Sequence, residues 1–111
     1  MNDIVTERHG DLQLVKLGGE VDLSWSGRVR ETILAALDSG SVGVDLGAVS
    51  YIDSSGIAAL VEGLQTARDN GRRFILVAAS APVLAVLELA RLDRVFTLVP
   101  DLAAAGVAEA G

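Results

Sequence analysis

The chain has 111 residues, of which 50% are hydrophobic but only 4% are aromatic, and it contains no cysteine. This length suits one domain with an aliphatic core, and the lack of thiols excludes disulfides, thiol redox chemistry and zinc–thiolate sites. Fifteen acidic residues against nine basic ones give a formal net charge of −6, which argues against direct binding to nucleic acid because the phosphate backbone would be repelled.

The first predicted elements are a β-hairpin and a helix. Two strands, at residues 4–8 and 12–17, flank a short glycine-containing turn at residues 9–11. His9 belongs to this predicted turn, so its side chain is expected to be solvated. Apolar residues then recur at helical spacing over residues 24–37, which predicts the first helix.

The rest of the chain alternates strands with helices. Three further strands are predicted at residues 42–46, 74–78 and 95–99. Three further helices are predicted: one after Asp53, one from about Ser80, and a short Ala-rich one after Asp101. This order indicates an α/β fold with a mixed β-sheet of about five strands, opened by the hairpin, and about four α-helices. No linker or repeat divides residues 1–111, so a single domain is expected.

No segment of the sequence predicts membrane insertion or a bound cofactor. The N-terminus lacks a basic start followed by an apolar core, and no apolar run approaches about 18 residues. We therefore expect a cytoplasmic protein. His9 is the only histidine, so neither a metal site nor a cofactor is expected. No apolar surface pattern demands a partner copy, which predicts a monomer or weak dimer.

The most informative motif is Asp53-Ser54-Ser55-Gly56, which lies between a predicted strand and a predicted helix. A helix N-terminus carries unpaired backbone N–H groups and a positive dipole end, so a phosphate on either serine would be held there. Taken alone, the motif is also typical of simple helix capping. A second segment, residues 18–22, ends an earlier strand and should meet the motif on the same sheet edge.

With these segments in place, the sequence resembles the STAS domain family, and within it the bacterial anti-sigma factor antagonists that are phosphorylated reversibly on serine. The resemblance covers nearly the whole chain and is carried by residues 19–22, 44–46, 51–56, 71, 80–83 and 92–96. It implies that the unphosphorylated protein binds an anti-sigma factor with a GHKL-type serine kinase fold and so releases a sigma factor. The kinase would use ATP to phosphorylate Ser54, and a PP2C-type phosphatase would reset the protein.

The resemblance also implies the roles of individual residues. Ser54 is the expected phosphoacceptor, with Ser55 as second choice. Asp53 is expected to set the loop and the helix start, and Gly56 to allow a close backbone approach. Asp22 is expected to contact the kinase or to orient the acceptor hydroxyl. These residues form the predicted partner-binding surface.

Two positions depart from the family pattern. Trp25 stands three residues after Asp22, where many relatives have a small or hydroxyl residue. It is either packed beside the first helix or an aromatic anchor for the partner, and it is included in the predicted partner-binding surface. Ala90 and Arg91 replace a frequent small residue and a glycine before Leu92. The partner surface is therefore expected to differ from that of other members.

Other functions are less compatible with the sequence. An enzyme is not expected, because neither a G-x-x-x-x-G-K-[ST] loop nor a G-x-S-x-G elbow is present. A response-regulator receiver domain would need a lysine late in the chain, whereas Lys16 is the only lysine. Two other STAS roles stay open: a scaffold subunit of a stress-signalling complex, and an accessory subunit of a lipid-transport ABC system.

Overall fold

The computed structural model describes residues 2–106, and the predicted single domain extends at both ends beyond these described residues. Within this range the chain forms five strands, three α-helices and one 3-10 turn. In chain order these are β1 (Asp3–His9), β2 (Leu12–Val21), α1 (Leu23–Ser39), β3 (Ser41–Ile52), α2 (Ser54–Asp69), β4 (Phe74–Val77), α3 (Ala81–Leu89), β5 (Thr97–Val99) and the 3-10 turn (Ala103–Ala105).

The five strands form one mixed sheet in the order β1-β2-β3-β4-β5. The β1–β2 hairpin is antiparallel, and every later neighbour pair is parallel. Each parallel connection moves one strand further in the same direction, so right-handed crossovers place all three helices on one face of the sheet. The predicted mixed sheet opened by a hairpin is confirmed.

The core lies mainly between the sheet and the helices. Alternate residues of each strand face this layer, including Val15, Val44 and Leu76, and they pack against the apolar stripes of α1 and α2. A smaller cluster covers the opposite face of the sheet and consists of Leu12, Leu14, Ile75 and Val77, with Leu102 and Ala105 packed against it. The C-terminal segment of the described chain therefore covers part of the face that carries no α-helix.

An ion pair joins α1 to α2. The Nε of Arg30 donates to Oε1 of Glu62 over 2.8 Å, and the Nη2 of Arg30 lies 2.7 Å from Oε2. This two-pronged contact lowers the pKa of the Glu62 carboxyl, chiefly through the hydrogen bond from Arg30. The pair helps to fix the two helices side by side, and with them the two helix N-termini.

Up to Gly106 the predicted fourth helix is not an α-helix: the three-residue 3-10 turn Ala103–Ala105 is in its place, and the rest of the predicted helix, residues 107–111, lies outside the described residues. Gly106 follows it with a φ of 74°, in the left-handed region. A left-handed residue ends a right-handed helix, so the alanines just before it have room for only one turn. The side chain of Asp101 caps this turn by accepting a hydrogen bond from the N–H of Ala104 over 2.8 Å.

Two strands run several residues further than predicted. The segment 18–22, expected as a loop after a strand that ends at Leu17, forms the end of β2 up to Val21, and β3 continues to Ile52 instead of ending at Leu46. The parallel register between them shifts after Lys16 and again after Gly19, whose φ is 90°. Glycines in a sequence argue against a strand, which is why the prediction ended early. Here the register shifts accommodate them, so β2 and β3 stay paired to their ends.

His9 is not the solvated turn residue that the sequence predicted. It is the last residue of β1, and its side chain is only 14% exposed. Its Nε2 lies 3.1 Å from Oε1 of Glu7. The strand register places His9 opposite Leu12, on the sheet face without helices, where Leu102 lines the same cavity. Cross-strand pairing and the returning chain therefore bury this side chain.

None of the helices within residues 2–106 has both the length and the apolar character that a membrane span requires.

Candidate functional site

The candidate site lies where β2 and β3 end side by side. Val21 pairs with Ile52 in the parallel register, and each strand is followed at once by an aspartate that caps the next helix. The N–H of Asp53 donates to the carbonyl of Val21 over 3.1 Å. The two segments predicted to share one edge of the sheet, those of Asp22 and Asp53, are therefore joined there by a backbone hydrogen bond.

Asp53 caps α2 through one carboxylate oxygen. Its Oδ1 accepts hydrogen bonds from the N–H of Ser55 at 2.9 Å, from the N–H of Gly56 at 3.2 Å and from the hydroxyl of Ser55 at 2.6 Å. The Ser55 hydroxyl lowers the pKa of this carboxyl most, and the backbone N–H groups lower it further. Asp53 is therefore a stable carboxylate at neutral pH.

This cap changes one expectation about the motif. The sequence suggested that N–H groups at the start of α2 would be free to hold a phosphate. The N–H groups of Ser55 and Gly56 are instead already bonded to Asp53. A phosphate at this helix start would still feel the helix dipole, but it would lie beside a carboxylate that holds both of these N–H groups.

The two adjacent serines have different environments. Ser55 is half-buried, and its hydroxyl donates to Asp53. Ser54 is exposed as the first residue of α2, and its hydroxyl has no hydrogen-bond partner among the described residues. The sequence alone could not rank these serines, whereas the geometry makes the Ser54 hydroxyl the accessible one. Transfer of a group to Ser55 would first have to break part of the cap.

Gly56 is required by the packing of α2 on the strand ends. A Cβ at this position would lie 2.7 Å from Cγ1 of Ile52, 2.8 Å from Cγ1 of Val21 and 3.0 Å from the Val21 carbonyl oxygen. The first turn of α2 therefore sits directly on the ends of β2 and β3. The close backbone approach expected at Gly56 is made to the protein's own sheet.

The start of α1 has the same cap chemistry. Oδ1 of Asp22 accepts from the N–H of Ser24 at 3.0 Å and from the hydroxyl of Ser24 at 2.6 Å. Leu23 takes the place that Ser54 has in α2, between the capping aspartate and the bonded serine. The backbone N–H of Leu23 is also among the groups that lower the pKa of Asp53.

The sequence did not single out Leu23, although it lies within the site. Its side chain is 79% exposed at the first position of α1. An apolar residue directly before a helical pattern is readily taken for part of the core, and this concealed it. The repeated order aspartate, any residue, serine in the two caps was a signal that could have identified Leu23 as the counterpart of Ser54.

Trp25 lies beside the site and packs against the core as a partly buried side chain. The guanidinium carbon of Arg28 lies 5.5 Å from the centroid of its ring, a cation–π distance. The indole N–H is buried without a hydrogen-bond partner in the described part of the chain. These contacts favour the packing role for Trp25, with Arg28 covering the ring.

The site can accept a chemical group but has few groups of its own to drive a reaction. Its ionisable side chains are Asp22 and Asp53, both engaged in capping. Over residues 2–106, no three histidine or acidic side chains are placed to hold a metal ion. What the arrangement offers chemically is an exposed hydroxyl, Ser54, held rigidly at the start of a helix and flanked by an exposed leucine.

A known protein family matches most of the chain. The family described as "Mlab, STAS domain" matches residues 4–100. An anti-sigma-B factor antagonist of Staphylococcus epidermidis is 31% identical over 80 residues, which cover 70% of this chain and 74% of that protein. The family match spans both helix N-termini of the candidate site.

Solved structures share the fold. An anti-sigma factor antagonist from Mycobacterium paratuberculosis has a TM-score of 0.82 at 25% identity, covering 92% of this chain and 88% of its own. The anti-sigma factor antagonist SpoIIAA in its unphosphorylated form has a TM-score of 0.74 at 20% identity, covering 86% and 87% of the two chains. Bacillus SpoIIAA in the phosphorylated form has a TM-score of 0.72 at 18% identity, covering 94% and 97%.

Proposed function

The chain belongs to the STAS domain family, and on that basis we propose that it acts as an anti-sigma factor antagonist switched by phosphorylation of Ser54. The observation that carries this proposal is the exposed, unbonded hydroxyl of Ser54 at the capped start of α2. The names of its relatives support the general role. The individual steps of the switch are our inference.

In the proposed cycle the unphosphorylated protein binds an anti-sigma factor that has a GHKL-type serine kinase fold. Binding frees the sigma factor for transcription. The same anti-sigma factor transfers the γ-phosphoryl group of ATP to the Ser54 oxygen, with loss of the hydroxyl proton and release of ADP. A PP2C-type phosphatase hydrolyses the phosphoserine and restores the binding form. The protein is the substrate in these steps and not itself an enzyme.

The electrostatics of the site support such a switch. A phosphate adds a charge of about −1.5 to −2 at neutral pH. On Ser54 it would lie next to the Asp53 carboxylate, in a protein whose formal net charge is already −6. Reversing a two-state equilibrium from 1:99 to 99:1 requires roughly 5.5 kcal/mol. A dianion in the middle of an interface can supply most of this through repulsion and desolvation.

The fold itself need not change in this proposal. The cap of α2 is made by Asp53 and Ser55, and the Ser54 hydroxyl takes no part in it. A phosphate on Ser54 would therefore leave the helix start intact. SpoIIAA shares this fold in both its unphosphorylated and its phosphorylated forms, which supports a switch that acts at the surface. We further propose that the protein acts in the cytoplasm as a monomer or weak dimer.

Intact-mass spectrometry with site mapping tests the proposal. The purified protein is incubated with ATP and, in turn, each GHKL-type anti-sigma kinase of its own genome. The wild type and Ser55→Ala should each gain one phosphate, and Ser54→Ala should gain none. Phosphate on Ser55 in the wild type would refute the assignment of the acceptor. No transfer by any kinase would favour a scaffold subunit or an accessory subunit of a lipid-transport ABC system.

A further inference from the structure

We infer that Leu23 is an apolar anchor for the anti-sigma factor, which fits over it with an apolar pocket whose rim donates hydrogen bonds beside Ser54. This inference rests on the proposed function. It names a contact residue and the chemistry of the partner surface, neither of which follows from the presence of a phosphorylated serine.

The exposure of Leu23 is not explained by the needs of the fold. Its side chain is 79% exposed. Single exposed leucines are common on protein surfaces, so the position of Leu23 at the same sheet edge as Ser54, and not its exposure alone, distinguishes it. The cap at this helix start is made by Asp22 and Ser24. The first helical position requires no apolar side chain for this cap, and a polar residue would serve equally there. An exposed leucine is therefore available for contact with another molecule.

Its position ties Leu23 to the phosphorylation site. The N–H of Asp53 donates to the carbonyl of Val21 over 3.1 Å, which fixes the two chain segments together. Asp22 and Asp53 follow Val21 and Ile52 directly and are the N-caps of α1 and α2, so the first residues of the two helices start from the same edge of the sheet. Leu23 and Ser54 therefore flank Asp53 as the first residues of two adjacent helices. A partner that covers one of them also covers the other.

The neighbouring groups define what the partner must present. Both capping carboxylates engage their internal donors through Oδ1, so the Oδ2 atoms of Asp22 and Asp53 can accept further hydrogen bonds. The matching surface is an apolar pocket for Leu23 with neutral N–H donors at its rim, because basic side chains there would attract a phosphate on Ser54 instead of being displaced by it. Such a rim tolerates the neutral Ser54 hydroxyl. A phosphate on Ser54 holds water at the mouth of the pocket and so weakens the contact made by Leu23.

The chain offers a matched control in Leu89. It is also an exposed leucine, at 89%, but it ends α3. Because α3 starts from the carboxyl end of β4 and runs back across the sheet, Leu89 lies at the opposite edge from Ser54. Leu89→Ala removes the same number of carbon atoms from an exposed helix end, without touching the proposed surface.

Isothermal titration calorimetry with the anti-sigma factor that phosphorylates this protein provides the test. Leu23→Ala should weaken binding by about 10- to 100-fold, since a buried leucine side chain contributes on this scale. Leu89→Ala should stay within about twofold of the wild type, and Leu23→Met, which keeps the volume, should stay close to it. Urea unfolding should be unchanged by Leu23→Ala, because alanine is a good helix former.

The outcomes separate this inference from the proposed function. If the wild type binds and Leu23→Ala binds within about twofold of it, the anchor role of Leu23 is overturned, whereas the antagonist role stands. An equal loss in Leu23→Ala and Leu89→Ala would also overturn it, because the effect would not be local. If the wild type neither binds nor is phosphorylated by any anti-sigma factor of its genome, the proposed function fails, and the anchor fails with it. In a double mutant with Ser54→Asp, Leu23→Ala should cost less than it does alone.

Discussion

The N-termini of α1 and α2 are built alike but carry different residues where they face solvent. In each, an aspartate at the end of a parallel strand accepts hydrogen bonds from the N–H and the hydroxyl of the serine two residues on. Between the bonded pair stands Leu23 in α1 and Ser54 in α2. The cap holds the backbone in both cases, so the intervening residue is free to serve function. The capping pairs therefore shape the site, and the two intervening residues are the ones that another molecule can reach.

The largest expected effect concerns the third helical position, where α1 has Trp25 and α2 has Gly56. Gly56→Ala should destabilise the protein by about 1–3 kcal/mol, because its Cβ would meet Val21 and Ile52. Gly27→Ala in α1 is the control: a Cβ there meets nothing within 4 Å, so it should stabilise by up to about 1 kcal/mol. Urea unfolding measures both, and equal effects would show that packing does not distinguish the two helix starts.

Removal of the capping aspartate should also destabilise the protein more at the start of α2 than at the start of α1. Asp53→Ala should lower the free energy of unfolding by about 1–2 kcal/mol, and Asp22→Ala by about 0.5–1 kcal/mol. Asp53 accepts from two backbone N–H groups of its helix, whereas Asp22 accepts from one. Denaturant unfolding of the two variants gives the comparison. A larger loss in Asp22→Ala would contradict this ranking of the caps.

The adjacent serines of α2 provide a sharper contrast. Ser55→Ala should cost about 0.5–1.5 kcal/mol, since it removes the 2.6 Å hydrogen bond to Asp53. Ser54→Ala should change the unfolding free energy by less than about 0.5 kcal/mol, as expected for a surface substitution. Measured in the same buffer, equal losses in the two variants would mean that the Ser54 hydroxyl is also part of the cap.

The smallest expected effect is a shift in the titration of Asp53. Its pKa is lowered from the ordinary value of 3.8, first by the Ser55 hydroxyl. The cap therefore contributes its full stability above pH 3.8, and the contribution is lost as the pH falls through the lower folded-state pKa. Carboxyl chemical shifts should show this pKa rising in Ser55→Ala and staying in place in Ser54→Ala. A titration unaffected by Ser55→Ala would contradict the assigned cause.

Local patterns in the sequence predict much of this fold. Apolar periodicity and helix-start residues identify five strands and three helices, because these signals depend on near neighbours. Neighbouring residues in the sequence do not show how far two strands pair, because this depends on the strand alongside. The extension of β2 through Gly18 and Gly19 follows from register shifts with β3, and the burial of His9 follows from contact with distant residues.

The candidate site, like the fold, is predicted by the sequence only in part. Its residues and their shared edge follow from the motifs and the parallel sheet. The family resemblance names Ser54 before Ser55, but the physical difference between the two hydroxyls requires hydrogen-bond geometry, since both are serines at a helix start. Leu23 was missed because exposure is a property of the folded chain, and in sequence it resembles a core residue. The parts that the sequence does not predict are those set by contacts across the sheet edge.

The most direct test compares the unphosphorylated protein with protein phosphorylated at Ser54. Calorimetric titration with the cognate anti-sigma factor and urea unfolding would be carried out on both forms. We expect the phosphate to weaken binding by at least about 100-fold and to change the unfolding free energy by less than about 0.5 kcal/mol. Equal affinity of the two forms, or a loss of binding matched by a loss of folding stability, would contradict a switch that acts at the surface.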